Sequence, residues 1–237
     1  MKERPILFSA PMVRAILDDR KTKTRRIIKP QPYIDEMGNF CWNGGNFGQD
    51  FNGPRIQAIA SPIPSSKTKR VRCPYGKPGD RLWVRETFSH DFEHNRYFYK
   101  ADCDNDGTIL YLINGSGLGG GVGNARIQKW KPSIHMPRIA SRILLEITGV
   151  RVERLQDISE EDAIAEGASF TDNGLDKWGQ KNAGWSHIGK TDKDECLLSA
   201  RSSFVNLFES INGHGTWDLN PYVRAIEFKR VNNGFSE

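Results

Sequence analysis

Arg20-Lys21-Thr22-Lys23-Thr24-Arg25-Arg26 puts five cationic side chains and two threonine hydroxyls into seven residues, with no acid among them. Lys29 extends the cluster. Lys or Arg alternating with Thr is what a strand shows when its two faces do different work. Such cationic density attracts phosphate, because each Lys or Arg that meets one releases a condensed counterion. The residues ahead of the run give it a setting. Pro5-Ile6-Leu7-Phe8 reads as a short strand. Ser9 can cap a following helix, with Pro11 in the first turn, where a missing N–H costs little. Met12, Val13, Ile16 and Leu17 then form its apolar stripe, Asp18-Asp19 end it, and the basic run follows as turn plus strand.

Outward from this unit the pattern alternates order with loop. Residues 76–80 are a turn signal, and Arg81-Leu82-Trp83-Val84-Arg85-Glu86-Thr87-Phe88 alternates as a half-buried strand. Tyr97-Phe98-Tyr99-Lys100 is a second short strand. Ile143-Leu144-Leu145-Glu146-Ile147-Thr148 and Val150-Arg151-Val152-Glu153-Arg154-Leu155 read as two more. Ser159 caps a short helix with Asp162 three residues on, and Gly167 closes it, leaving Glu166 in the last turn. A longer helix is expected over residues 195–212, with the stripe Leu197, Leu198, Arg201, Phe204, Val205, Phe208 and Ile211. A closing strand is expected over 221–229. Segments near 31–69, 101–132 and 168–192 are polar and glycine-bearing, and read as loop insertions; 232–237 reads as a disordered tail. The expectation is one α+β domain over 1–231, a small curved sheet or β-barrel with helices at its rim.

Composition excludes several classes. The chain has 237 residues, 37% hydrophobic and 27% charged, enough for a real core. Thirty-four Lys plus Arg against 29 Asp plus Glu give +5, which permits an anionic partner without demanding one. Its four cysteines include no C-x-x-C pair, so neither a zinc ribbon nor a thioredoxin-type site is signalled. No apolar run approaches the ~20 residues of a membrane span, and Met1-Lys2-Glu3-Arg4-Pro5 lacks a secretory signal, so a cytoplasmic protein without a membrane partner is expected. Gly115-Ser116-Gly117-Leu118-Gly119-Gly120 matches G-x-G-x-x-G formally, but without a surrounding βαβ unit it reads as a flexible loop. His90 and His94 are four apart with no third ligand signalled, so no metal and no cofactor is expected.

Three segments together resemble the ASCH domain, a PUA-like β-barrel family: 16–26 around the basic run, Gly79-Asp80-Arg81-Leu82-Trp83-Val84-Arg85-Glu86, and the stretch from Ile147-Thr148-Gly149-Val150 to Glu166-Gly167. With Cys73-Pro74-Tyr75-Gly76 and Met136-Pro137-Arg138, the chain looks like the long-looped members found in bacteriophages and prophages. The resemblance implies a PUA-like barrel whose partner is a nucleoside, RNA or DNA held in a basic cleft. Some small bacterial members are similar at the first and third segments. They are amidohydrolases that remove the acetyl group of N(4)-acetylcytidine, and their catalytic trio falls on Lys21, Thr24 and Glu166 here. Arg20, Lys23, Arg25, Arg26, Trp83 and Glu86 are then the candidate binding residues.

The chemistry is coherent. Thr24 could attack a carbonyl or orient a water, and Lys21 could serve as base if its pKa, ordinarily about 10.4, is pulled down by the surrounding Arg20, Lys23, Arg25 and Arg26. Glu166 suits a proton shuttle. Competing readings are a non-catalytic RNA- or DNA-binding protein, or a metal-independent ribonuclease, of phage origin. At single residues, Lys21 and Thr24 could be a solvated basic edge, Glu166 an exposed helix residue, Trp83 core, and Glu86 the partner of an arginine. Residues three apart on a regular strand face opposite sides. Lys21 and Thr24 share a site only if Lys21 belongs to the turn, or if a bulge intervenes.

Overall fold

Five long strands carry the sheet: β1 (Glu3–Leu7), β2 (Lys23–Ile27), β3 (Arg81–Arg85), β4 (Leu144–Arg154) and β5 (Tyr222–Val231). Three α-helices accompany them: α1 (Ala10–Leu17), α2 (Glu160–Ala165) and α3 (Ala200–Asn212). The computed structural model describes residues 1–46, 56–57, 73–91, 95–103, 109–113, 121–125, 129–175, 181–187 and 197–231. The glycine motif at 115–120 and the tail at 232–237 lie outside the described residues, as do parts of all three expected insertions.

The sheet order is β1-β3-β4-β5-β2, with Ile56–Gln57 pairing onto β4 as a sixth strand. β1 and β3 are parallel and the remaining pairs antiparallel, so the chain is a mixed α+β fold. Among the described residues no pairing joins β1 to β2, and the sheet is open there rather than closed as a barrel. A side chain spans the gap: Arg26 Nη2 donates to the Leu7 carbonyl at 2.7 Å.

β5 is an interior strand between β4 and β2, and Tyr222 to Ile226 are buried in succession, as a strand covered on both faces must be. One cluster joins Ile6, Val13, Ile16, Leu82, Leu145, Ile147 and Ile226 under α1. A second joins Leu155, Ile158, Ala163, Phe204, Phe208 and Val223 under α2 and α3.

Four boundaries differ from the sequence reading, each for a local reason. The two strands expected on either side of Gly149 are one, β4. Its register with β5 shifts between Ile147 and Gly149, so a bulge resets the alternation. β3 stops at Arg85; the Glu86 backbone N–H turns to Met136 Sδ at 3.3 Å, and Phe88–Asp91 starts a separate hairpin with Arg96–Tyr99. α3 begins at Ala200 rather than near residue 195. Leu197 is tied by two backbone bonds to Trp185, and Ser199 caps the helix by accepting from the Ser202 N–H. Ser169–Leu175 and Lys181–Ser186 form a hairpin where a loop was expected.

Candidate active site

α1 ends in a tight turn that sets Lys21. The backbone N–H groups of Arg20 and Lys21 both donate to the Ala15 carbonyl at 2.9 Å, and Thr22 N–H donates to Ala165 O at 2.8 Å. Lys21 therefore precedes β2 and belongs to the turn, which removes the facing conflict with Thr24. The turn is stitched directly onto the end of α2, where Ser159 caps the first turn through the Asp162 N–H and Glu166 is the C-cap just after Ala165. Residues 145 apart in sequence meet there: Lys21 Nζ donates to Glu166 Oε2 at 2.7 Å.

Lys21 is 1% exposed and among the largest fully buried side chains in the molecule. Its three N–H donors have three acceptors: Glu166 Oε2, the Glu166 carbonyl at 2.8 Å and the Lys23 carbonyl at 2.9 Å. That geometry suits an ammonium. Burial nevertheless pushes its pKa below the ordinary lysine value, Glu166 opposes the shift, and Arg26 and Arg25 add to it. The sequence reading assigned this effect to surrounding cations; desolvation is the larger cause, and Arg20 instead pairs with Asp18 in solvent at 2.9 Å.

The register explains the rest of the site. On one face of the sheet, Lys23 lies opposite Glu227, and Arg25 and Arg151 lie on either side of Ala225. The small Ala225 leaves room for both guanidinium groups to converge. Arg25 donates from Nε to Glu153 at 2.8 Å, from Nη2 to Asp162 at 2.5 Å and from Nη1 to Glu166 at 3.3 Å. Arg151 meets Glu153 at 2.6 Å and makes short contacts to Asp162 and Glu227. Lys23 bridges Asp162 at 2.6 Å and Glu227 at 3.2 Å. The network thus holds four cations (Lys21, Lys23, Arg25, Arg151) and four carboxylates (Glu153, Asp162, Glu166, Glu227), and is neutral. Burial disfavours the Arg25 charge, but Glu166, Glu153 and Asp162 outweigh it and hold its pKa above the usual arginine value.

This neutrality changes the meaning of the basic run. Arg25 has no exposed side-chain surface and Lys23 is bridged by two acids, so neither is a free phosphate contact. Thr24 is 3% exposed, not a solvated edge residue. It lines a cavity of about 50 Å³ with Glu166, Arg25 and Arg26, walled by Met12 of α1 and by Phe204, Leu207 and Phe208 of α3. Among the described residues no protein group hydrogen-bonds the Thr24 hydroxyl.

Trp83 and Glu86 lie elsewhere. The Arg85 guanidinium sits 4.8 Å from the Trp83 ring centroid. Glu86 is buried and accepts a forked pair of bonds from Arg142 at 3.0 and 3.2 Å. Arg142 also reaches Asp102 and stacks 4.0 Å from the Tyr99 ring centroid. Among the described residues no hydrogen bond or ion pair joins this cluster to Lys21 or Thr24. Sequence reasoning missed Arg151, Glu153, Asp162 and Glu227 as parts of the site. For Arg151, Glu153 and Glu227 the signal was charge on strands destined for the interior; Asp162 lies in the first turn of α2. Among the described residues no group of three or more His, Cys, Asp or Glu is placed to hold a metal ion.

No family model, no curated protein and no solved structure matches the chain.

Proposed function

We propose that this chain is an ASCH-type, PUA-like protein that hydrolyses the amide of N(4)-acetylcytidine or a related acylated cytosine, with Lys21, Thr24 and Glu166 as the reacting trio. One observation carries the reading: the turn after α1 and the end of α2 bring Lys21 Nζ to 2.7 Å from Glu166 Oε2, and Glu166 shares a cavity with Thr24. The Arg26 bridge to Leu7 across the open side of the sheet supports the PUA-like arrangement.

A buried ion pair is costly to keep charged. Moving one proton from Lys21 to Glu166 creates an amine base and a carboxylic acid side by side. The Thr24 hydroxyl orients a water in the cavity, and its entry requires Lys21 to release one of its two carbonyl partners. The water oxygen attacks the acyl carbon while the Lys21 amine takes the water proton. Glu166 gives its proton to N4 of the base as the carbon–nitrogen bond breaks. Cytidine and acetic acid leave, and the ion pair is restored. Arg25, which donates to Glu166 Oε1 at 3.3 Å, keeps it placed throughout. A cavity of about 50 Å³ suits an acetyl group and a water, with the base at its mouth.

The test is incubation of the purified protein with N(4)-acetylcytidine, and separately with RNA carrying it, followed by chromatography for the deacetylated product. Product from either substrate supports the reading. Absence of product from both removes the enzyme and leaves a non-catalytic binding protein.

A further inference from the structure

The face of the sheet opposite the neutral network holds a different arrangement. Arg26 on β2 and Arg224 on β5 are direct cross-strand partners in the register. Like charges placed opposite each other repel, and normally a carboxylate sits between them. None does here. Among the described residues the Arg224 side chain makes no hydrogen bond and no ion pair, although Arg224 is 5% exposed. The Nε of Arg26 and the Nε of Arg224 are both buried without a partner. The rings of Trp42 and Phe8 flank the pair, 5.4 Å from Arg224 and 5.3 Å from Arg26. Burial lowers the pKa of Arg224, with Cys73 and Tyr75 close enough to oppose the shift.

A buried guanidinium with unused donors is expensive unless an acceptor meets it in some state of the molecule. Arg26 keeps Nη2 on the Leu7 carbonyl, but its Nε and that of Arg224, on paired positions of one face, are left without acceptors, which the oxygens of a tetrahedral anion can supply. We propose that Arg26 and Arg224 form a phosphate-binding site, and that this face, not the Arg25 face, is where the basic run meets phosphate. Arg26 also lines the cavity beside Thr24, so the site adjoins the acyl chemistry above without depending on it. If both hold, Thr24 and Arg26 share one face of β2 at a spacing of about 7 Å. The substrate would then be a phosphorylated cytidine, as nucleotide or within RNA, rather than the bare nucleoside.

The test compares cytidine 5′-monophosphate, cytidine and a short single-stranded RNA by calorimetry and by thermal shift, on wild type, Arg224→Met and Arg224→Lys. Wild type should bind the monophosphate or the RNA at least about tenfold more tightly than cytidine, and the ligand should raise its Tm. Arg224→Met should lose that binding and that rise, and reduce the salt slope for RNA by about one. Its ligand-free Tm should not fall, because no ion pair is removed. Arg224→Lys keeps the charge without the fork, and should fold and bind weakly. Loss with both probes assigns any phosphate monoester or diester; loss with RNA alone assigns the backbone phosphate. Equal binding of cytidine and its monophosphate together with RNA binding unchanged in both variants would overturn the site. So would a fall in ligand-free Tm for both variants with phosphate affinity intact, the mark of a purely structural arginine.

Discussion

Replacing Arg25 by Met is the sharpest perturbation of the buried network. The Arg25 side chain has no exposed surface and neutralises Glu153, Asp162 and Glu166 at 2.7, 2.5 and 3.3 Å. Removing it leaves three cations against four carboxylates around a buried position that Phe204 covers. Breaking a buried pair from one side costs about 3–5 kcal/mol, because the abandoned charges stay desolvated. That is a large share of a total stability of about 5–15 kcal/mol. With a urea dependence of about 1–3 kcal/mol per molar, the unfolding midpoint should fall by at least about 1 M. Arg20→Met, five residues earlier, removes an exposed pair with Asp18 whose side chains are 44% and 57% accessible, and should cost no more than about 0.5 kcal/mol. Urea unfolding followed by circular dichroism measures both. A cost below about 1 kcal/mol for Arg25→Met, or equal costs for the two variants, would refute the network and restore the run to a solvated strip.

Two further outcomes are expected. Asp80 accepts from the Lys2 backbone N–H at 2.9 Å and from Arg4 at 3.0 Å, which holds its pKa at about 2 against an ordinary 3.8. A depressed carboxylate stabilises the fold above its unfolded pKa, so this contribution should be lost as the pH falls from 3.8 to about 2; Asp80→Asn should flatten acid unfolding in that window. Ser159→Ala removes the acceptor for the Asp162 N–H at 3.2 Å and should cost about 1 kcal/mol in thermal unfolding, loosening the helix that carries Asp162 and Glu166.

The strand–helix–strand unit at the N-terminus was legible because Pro11 and the Met12, Val13, Ile16 stripe speak locally, although Ser9 holds the N-cap position without a side-chain capping bond. The α2 cap at Ser159 was legible for the same reason. The meeting of Lys21 with Glu166 came from the resemblance, and the structure brings the pair together. What the residues could not announce was charge compensation. Arg25 meets Asp162 only because β2, β5 and β4 align around Ala225, and register is a long-range property. The continuous β4 was hidden because the bulge beside Gly149 looks like a turn in sequence. A side-chain Cβ at Gly149 would meet Glu227 Oε2 at 3.0 Å, so close approach accounts for the glycine there. The start of α3 was misplaced because Leu197 and Leu198 fit a helical stripe. Only the backbone bridge to Trp185 shows that Leu197 belongs to the hairpin.

Thr24→Val gives the most direct measurement of the proposed chemistry, since it removes a hydroxyl with no protein partner and leaves the ion network intact. Rates of cytidine release from N(4)-acetylcytidine, for wild type and variant at equal Tm, are the quantity to compare. The expected result is turnover by wild type and a loss of about 100-fold or more in the variant. Equal rates, with both proteins folded, would contradict the assignment of Thr24 and with it the trio.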